Sequence, residues 1–176
     1  PDLENIGLIV VGGVNKHFNF DDGYLISQID FAISLFPDTN WIVFNSRRTP
    51  KGFNEKIKRN TSIRKFIDVH KNFEPLDDYL SKAKLKFVTP DSVNMIFESL
   101  SSSGETYLFD MHYSKENKIT RLIDEVKSNK YAGFLEERYL ETSEIKTISL
   151  SKPNLLHGTF REVEKVVYEI ERRFRK

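Results

Sequence analysis

A chain of 176 residues with 39% hydrophobic and 30% charged residues has the composition of a globular domain with its own core, which excludes a disordered or fibrous protein. Its net charge of +1 lacks the global basic footprint of a nucleic-acid binder, and the lack of cysteine excludes disulfides, thiolate metal sites and a cysteine nucleophile. No apolar run approaches the roughly 18 residues that a membrane-spanning helix needs, so a cytoplasmic protein without a nucleic-acid partner is expected.

The chain begins at Pro1 rather than a methionine, and "IGLIVV" (6–11) then reads as a buried strand, not as a signal peptide, because no basic lead or small-residue cleavage site precedes it. This start suggests a chain cut at a domain boundary, the carboxyl-terminal part of a larger protein. After Gly12-Gly13 a helix is predicted from about Asp22 to Phe36, with Leu25, Ile29, Ala32, Ile33 and Phe36 on one face. "WIVFN" (41–45) is a second strand, followed by a short charged helix around 52–60 and a weaker strand, "KFIDVH" (65–70). "PLDDYLSKA" (75–83) suits a helix with proline at its first position, and "LKFVT" (85–89) is a fourth strand. A helix with Val93, Ile96, Phe97 and Leu100 on its buried face comes next, with Gly104 just past its end, then a fifth strand at "TYLFDM" (106–111). Residues 115–129 read as helix, 131–158 are ambiguous with one strand suggested at "IKTISL", and an amphipathic helix closes the chain over 159–175.

Strands that alternate with helices predict one Rossmann-like domain over residues 1–176: an α/β, doubly wound parallel sheet with helices on both faces. The basic end "RRFRK" is read as a solvated helix terminus, with peripheral contact at a membrane surface as its alternative role.

In such a sheet ligands bind beyond the carboxyl ends of the strands, near the topological switch point. The residues at those ends are polar: Gly12, Gly13, Asn15, Lys16 and His17 after the first strand, Ser46, Arg47, Arg48 and Thr49 after the second, Thr89, Asp91, Ser92 and Asn94 after the fourth. Gly12-Gly13 either permits a tight turn or lets the backbone approach a ligand; with no G-x-G-x-x-G the dinucleotide fingerprint is absent. "SRRT" puts two always-charged guanidinium groups where a phosphate would sit, against the plainer reading of an exposed basic turn. His17 is a loop histidine and the one candidate base of the group, while the spacing of His70, His112 and His157 fits no metal motif. No metal or resident cofactor is expected.

"TPDSVNMIFESLSSSGE" (89–105) combines these features. Asp91 or Ser92 can cap the helix, and the same helix start, lying beyond a strand end, offers free amides and a dipole to a phosphate. Asn94 and Glu98, four residues apart, share a flank away from the apolar stripe, where a carboxylate would accept hydrogen bonds from ribose hydroxyls. An aspartate cap repels that phosphate, so Asp91 counts against the site unless it points away.

"GGVNKHFNF" (12–20), "SRRTP" (46–50) and "VTPDSVNMIFESLSSSGETYLF" (88–109), in this order and spacing, resemble the mitochondrial-fission ELM family, whose bacterial members are of uncharacterised function. That family is in turn similar to the carboxyl-terminal, nucleotide-binding lobe of GT-B glycosyltransferases. The resemblance implies a sugar nucleotide as ligand, with Ser92 and Asn94 near phosphate, Glu98 at ribose and Arg47 or Arg48 on the diphosphate. It also implies an amino-terminal lobe of the same protein that supplies the acceptor site. The plant members, described as adaptors that recruit a dynamin-related protein at the mitochondrial surface, imply the alternative of a non-catalytic interaction module.

Overall fold

The computed structural model describes residues 4–140, 144–154, 168, 169 and 172. In chain order the elements are β1 (Ile6–Val10), α1 (Asp22–Leu35), β2 (Asn40–Phe44), α2 (Lys51–Lys58), β3 (Ile63–Ile67), α3 (Leu76–Leu80), β4 (Leu85–Val88), α4 (Val93–Leu100), β5 (Glu105–Leu108), α5 (Lys118–Ser128), β6 (Gly133–Tyr139) and β7 (Lys146–Ser151). They form one sheet in the order β3-β2-β1-β4-β5-β6-β7. Neighbours from β3 through β6 are parallel, and β7 lies antiparallel on β6. The chain winds outward from β1 to β3, then crosses back to lay β4 on the other side of β1. The switch point of this α/β, Rossmann-like fold therefore lies between the ends of β1 and β4.

Strand alternation sends successive side chains to opposite faces, and helices cover both. On one face Ile9, Val11, Trp41, Val43, Phe87, Tyr107 and Phe109 pack against Leu25, Ile29 and Ala32 of α1 and Phe53 and Ile57 of α2. On the other, Leu8, Val10, Ile42, Phe44, Val88 and Leu108 meet Leu80 of α3, Ile96, Phe97 and Leu100 of α4, and Leu122, Ile123 and Val126 of α5. Each large apolar side chain buried this way contributes about 2 kcal/mol. The predicted stripe of α4 is thus the face it buries.

Local chemistry starts the helices. Asp21 caps α1 by accepting from the Tyr24 amide at 3.1 Å. Asn117 caps α5, its Oδ1 accepting from the amides of Ile119 and Thr120, while Thr120 Oγ1 accepts from the Asn117 amide to close a capping box.

Several boundaries differ from the sequence reading. Pro75 stands at the N-cap position of α3, not inside the helix, which spans five residues. Gly104 is not at a helix cap; it takes a φ of 86° beyond the Ser101 C-cap and lies so close to the Ala83 and Lys84 carbonyls that a Cβ would collide with them. The strand β6 was hidden in the ambiguous region, because its last residues are exposed and its pairing with β5 rests on Gly133 and Phe134. The expected helix over 159–175 lies outside the described residues except at Tyr168, Glu169 and Arg172, which are helical.

Candidate functional site

The loops that follow β1, β2 and β4 meet at the switch point, joined by hydrogen bonds. The Gly12 amide donates to Thr89 Oγ1 at 2.8 Å and the Gly13 amide to Asp91 Oδ2 at 2.9 Å. Thr49 Oγ1 donates to the Gly12 carbonyl and accepts from the Ser46 amide at 2.9 Å, and the Val14 amide donates to the Arg48 carbonyl at 3.2 Å. Asn15 Nδ2 donates to the Asp91 carbonyl at 3.3 Å. The glycine pair serves close approach: a Cβ on Gly12 would strike the Asp91 carboxylate, and one on Gly13 the backbone of Arg48.

Asp91 is the centre of this arrangement. Its side chain is 0% exposed, its Oδ2 lies 3.9 Å from the Arg48 guanidinium, and its Oδ1 has no hydrogen-bond partner among the described residues. It does not cap α4. Ser92 holds the N-cap position and makes no side-chain bond to the first turn, so no side chain caps that helix. Asp91 is turned instead toward the Gly13 amide and the Arg48 guanidinium. The Arg48 side chain remains 53% exposed, and Arg47 beside it is exposed as well.

Of the residues singled out in the sequence, Gly12, Gly13, Ser46, Arg48, Thr89 and Ser92 are therefore brought together, with Arg47 in the same turn. Asn94 stands on the exposed side of the first turn of α4. Glu98 lies six residues further along, about 9 Å down the helix axis from Ser92, where it lines an open cleft of about 530 Å³ with Asp77, Leu80, Ser81 and Ser101 to Ser103. Burial and the nearby Asp77 carboxylate push its carboxyl above the usual range.

His17 sits over the start of α5. Asn117 Oδ1 already accepts two backbone amides, so its Nδ2 is the donor toward His17 Nδ1, 3.0 Å away. That contact places the proton of the neutral imidazole on Nε2 and engages the lone pair a base would use. His112 stacks on Tyr24, rings 5.5 Å apart, and the Tyr24 hydroxyl donates to Asp110 Oδ2 at 2.6 Å.

Two residues carry more than their sequence context showed. Asp91 read as a helix cap; the signal for its other role was the glycine pair, whose missing side chains leave room for a partner. Lys86 read as one more strand residue in "LKFVT", yet it is 0% exposed, and its ammonium, with three protons to donate, lies within hydrogen-bond reach of the carbonyls of Ser99, Ser102 and Ser103 and of Ser102 Oγ at the end of α4. Burial pushes its pKa down to about 8.

A family model described as Mitochondrial fission ELM1 matches residues 1–167. The uncharacterized protein RP120 of Rickettsia prowazekii (strain Madrid E) is 28% identical over 143 residues, a match that covers 78% of this chain and 40% of RP120. The chain thus spans about two fifths of the length of that curated relative. Among solved structures, the peptidyl-cysteine decarboxylase EpiD aligns at a TM-score of 0.47 with 11% identity, covering 96% of this chain and 99% of its own. A variant of EpiD complexed with a substrate peptide aligns at 0.45 with 10% identity, over 86% and 94% of the two chains. Among the described residues no helix is long and apolar enough to cross a membrane.

Proposed function

This chain belongs to the mitochondrial fission ELM1 family, and from that premise we propose that it is the nucleoside-diphosphate-binding lobe of a cytoplasmic, GT-B glycosyltransferase-like protein. One observation carries the reading: at the switch point, the start of α4 has no side-chain cap among the described residues, the exposed Arg47-Arg48 turn lies close by, and the Asp91 carboxylate is bonded to the Gly13 amide rather than to the first turn of the helix. Free first-turn amides, a helix dipole and two guanidinium groups are the donors a diphosphate takes. In a transfer reaction the same groups would stabilise the departing diphosphate electrostatically. Asn94, exposed in the first turn of α4, is the polar side chain this reading assigns to the phosphate. Acceptor binding and the base fall to parts of the longer protein beyond this chain.

A second reading is favoured by a different observation. Both amides of the glycine pair are already bonded within the chain, as suits an interaction module that keeps the fold without a ligand. Thermal melting of the longer protein with nucleoside diphosphates and their sugar conjugates separates the two. A ligand at 100 times its dissociation constant adds roughly 2.7 kcal/mol, a rise of a few degrees in the melting temperature. Unchanged melting with every nucleotide tried overturns the binding-lobe reading and leaves the module.

A further inference from the structure

We propose that the Gly12-Gly13 turn is an anion-binding site whose anion is supplied by the chain itself, the Asp91 carboxylate, so that external phosphate is excluded from the turn. The amides that follow the first strand of such a sheet point at the crevice where a ligand's anionic oxygens would lie. Here the Gly13 amide donates to Asp91 Oδ2 at 2.9 Å, and the Arg48 guanidinium approaches the same oxygen at 3.9 Å. A backbone amide on one side and a guanidinium on the other are the surroundings of a bound phosphate oxygen.

The fit is close. The space a Cβ would fill on Gly12 is held by the carboxylate, which is wholly buried. An ionised group in such a place is costly unless it is hydrogen-bonded; the Gly13 amide supplies that bond, and the half-exposed guanidinium 3.9 Å away is a weaker partner. One acceptor is left over: among the described residues Oδ1 is buried without a partner, as one oxygen of a seated anion is when its seat contacts only the other. The carboxylate also joins three loops that are distant in sequence, because it bonds to the β1–α1 turn, stands next to the β2–α2 turn and belongs to the β4–α4 loop. A structural aspartate that merely caps its own helix would do none of this. A phosphate arriving at the turn would meet both the volume and the charge of Asp91. The inference holds whether or not a nucleotide binds there.

Chemical rescue tests it. Asp91→Ala empties the seat and should lower the melting temperature by about 5 °C. Tens of millimolar formate, a carboxylate small enough to enter, should restore at least half of that loss and shift the Gly13 amide resonance in an NMR spectrum. Wild type and a core variant, Ile96→Val, measured at equal ionic strength, report the general salt effect and should not show the recovery. Asp91→Asn, which keeps the shape and an oxygen for the Gly13 amide, should not respond to formate either. Inorganic phosphate should leave the Gly13 resonance of wild type in place. Should Asp91→Ala not fold even in formate, Asp91→Ser, which also leaves space at the seat, repeats the measurement. A formate response no larger than that of Ile96→Val, or a wild-type Gly13 resonance that moves with phosphate, overturns the proposal.

Discussion

Lys86 Nζ lies 2.7 Å from the carbonyl oxygen of Ser99, so a lysine in the middle of a buried strand supplies the donor for the last turn of the neighbouring helix. Carbonyls at a helix end have no partner within the helix, and a cation there also meets the negative end of the dipole. Lys86→Met keeps the apolar stem and removes the ammonium, leaving the oxygens of Ser99, Ser102 and Ser103 without it. We expect a loss of about 2 kcal/mol in urea unfolding at pH 7, the scale of hydrogen bonds to a charged group.

The same residue makes stability depend on pH in a defined sense. Burial lowers the folded pKa of Lys86 from 10.5 to about 8. Between those values the unfolded chain binds the extra proton, so this residue's contribution to stability rises with pH, by roughly 3 kcal/mol across the window. Below about pH 8 both states are charged and the contribution is flat. The stability difference between wild type and Lys86→Met, followed from pH 7 to 10.5, should grow in favour of wild type; a constant difference would show that Lys86 titrates normally.

Two glycines should respond to alanine with opposite signs. A Cβ on Gly13 would collide with the backbone of Arg48, which cannot rotate aside, so Gly13→Ala should cost about 2 kcal/mol or more. Gly52 lies in α2 with nothing near its Cβ position, and Gly52→Ala should stabilise by about 0.5 to 1 kcal/mol through helix propensity. Chemical denaturation of both variants reads the pair.

The parts of this molecule that were legible in sequence are those that depend on short range. The 3.6-residue period of α4 and the succession of strands gave its buried face and the switch-point loops, and hence six residues that do come together there. The orientation of Asp91 was not legible, because its choice between the α4 amides and the Gly13 amide depends on a turn 78 residues away. Lys86 was hidden for a similar reason: in a strand buried on both faces a lysine breaks the pattern without saying which oxygens satisfy it. Glu98 shares a flank with Asn94, as its spacing required, but that flank runs about 9 Å from Ser92 at the switch point to the cleft that Glu98 lines.

Arg48 should carry nucleotide affinity with little effect on the fold. Its contact with Asp91 is long and its side chain half exposed, so Arg48→Ala should cost well under 1 kcal/mol of stability. If the guanidinium holds a diphosphate, the same change should weaken nucleoside-diphosphate binding about 10- to 100-fold, and added salt should narrow the gap between wild type and variant. Titration calorimetry at two salt concentrations measures both; an unchanged affinity would remove Arg48 from the site.

Glu98→Gln separates the cleft beside α3 from the switch point. Burial and the Asp77 carboxylate raise the folded pKa of Glu98 above its ordinary value, so the folded state binds the proton more readily and stability falls as pH rises through that range. Neutral glutamine removes the repulsion. At pH 7 it should stabilise the chain by a few tenths of a kcal/mol, because solvent screens this carboxylate, and the gain should vanish in acid once Glu98 is itself protonated. Nucleoside-diphosphate affinity should stay at the wild-type value, because Glu98 faces Asp77 and Ser101 to Ser103 and not the Gly12-Gly13 turn. A tenfold loss of affinity in Glu98→Gln would instead return this carboxylate to the ribose, extend the binding site along α4, and join the cleft to the switch point as one surface.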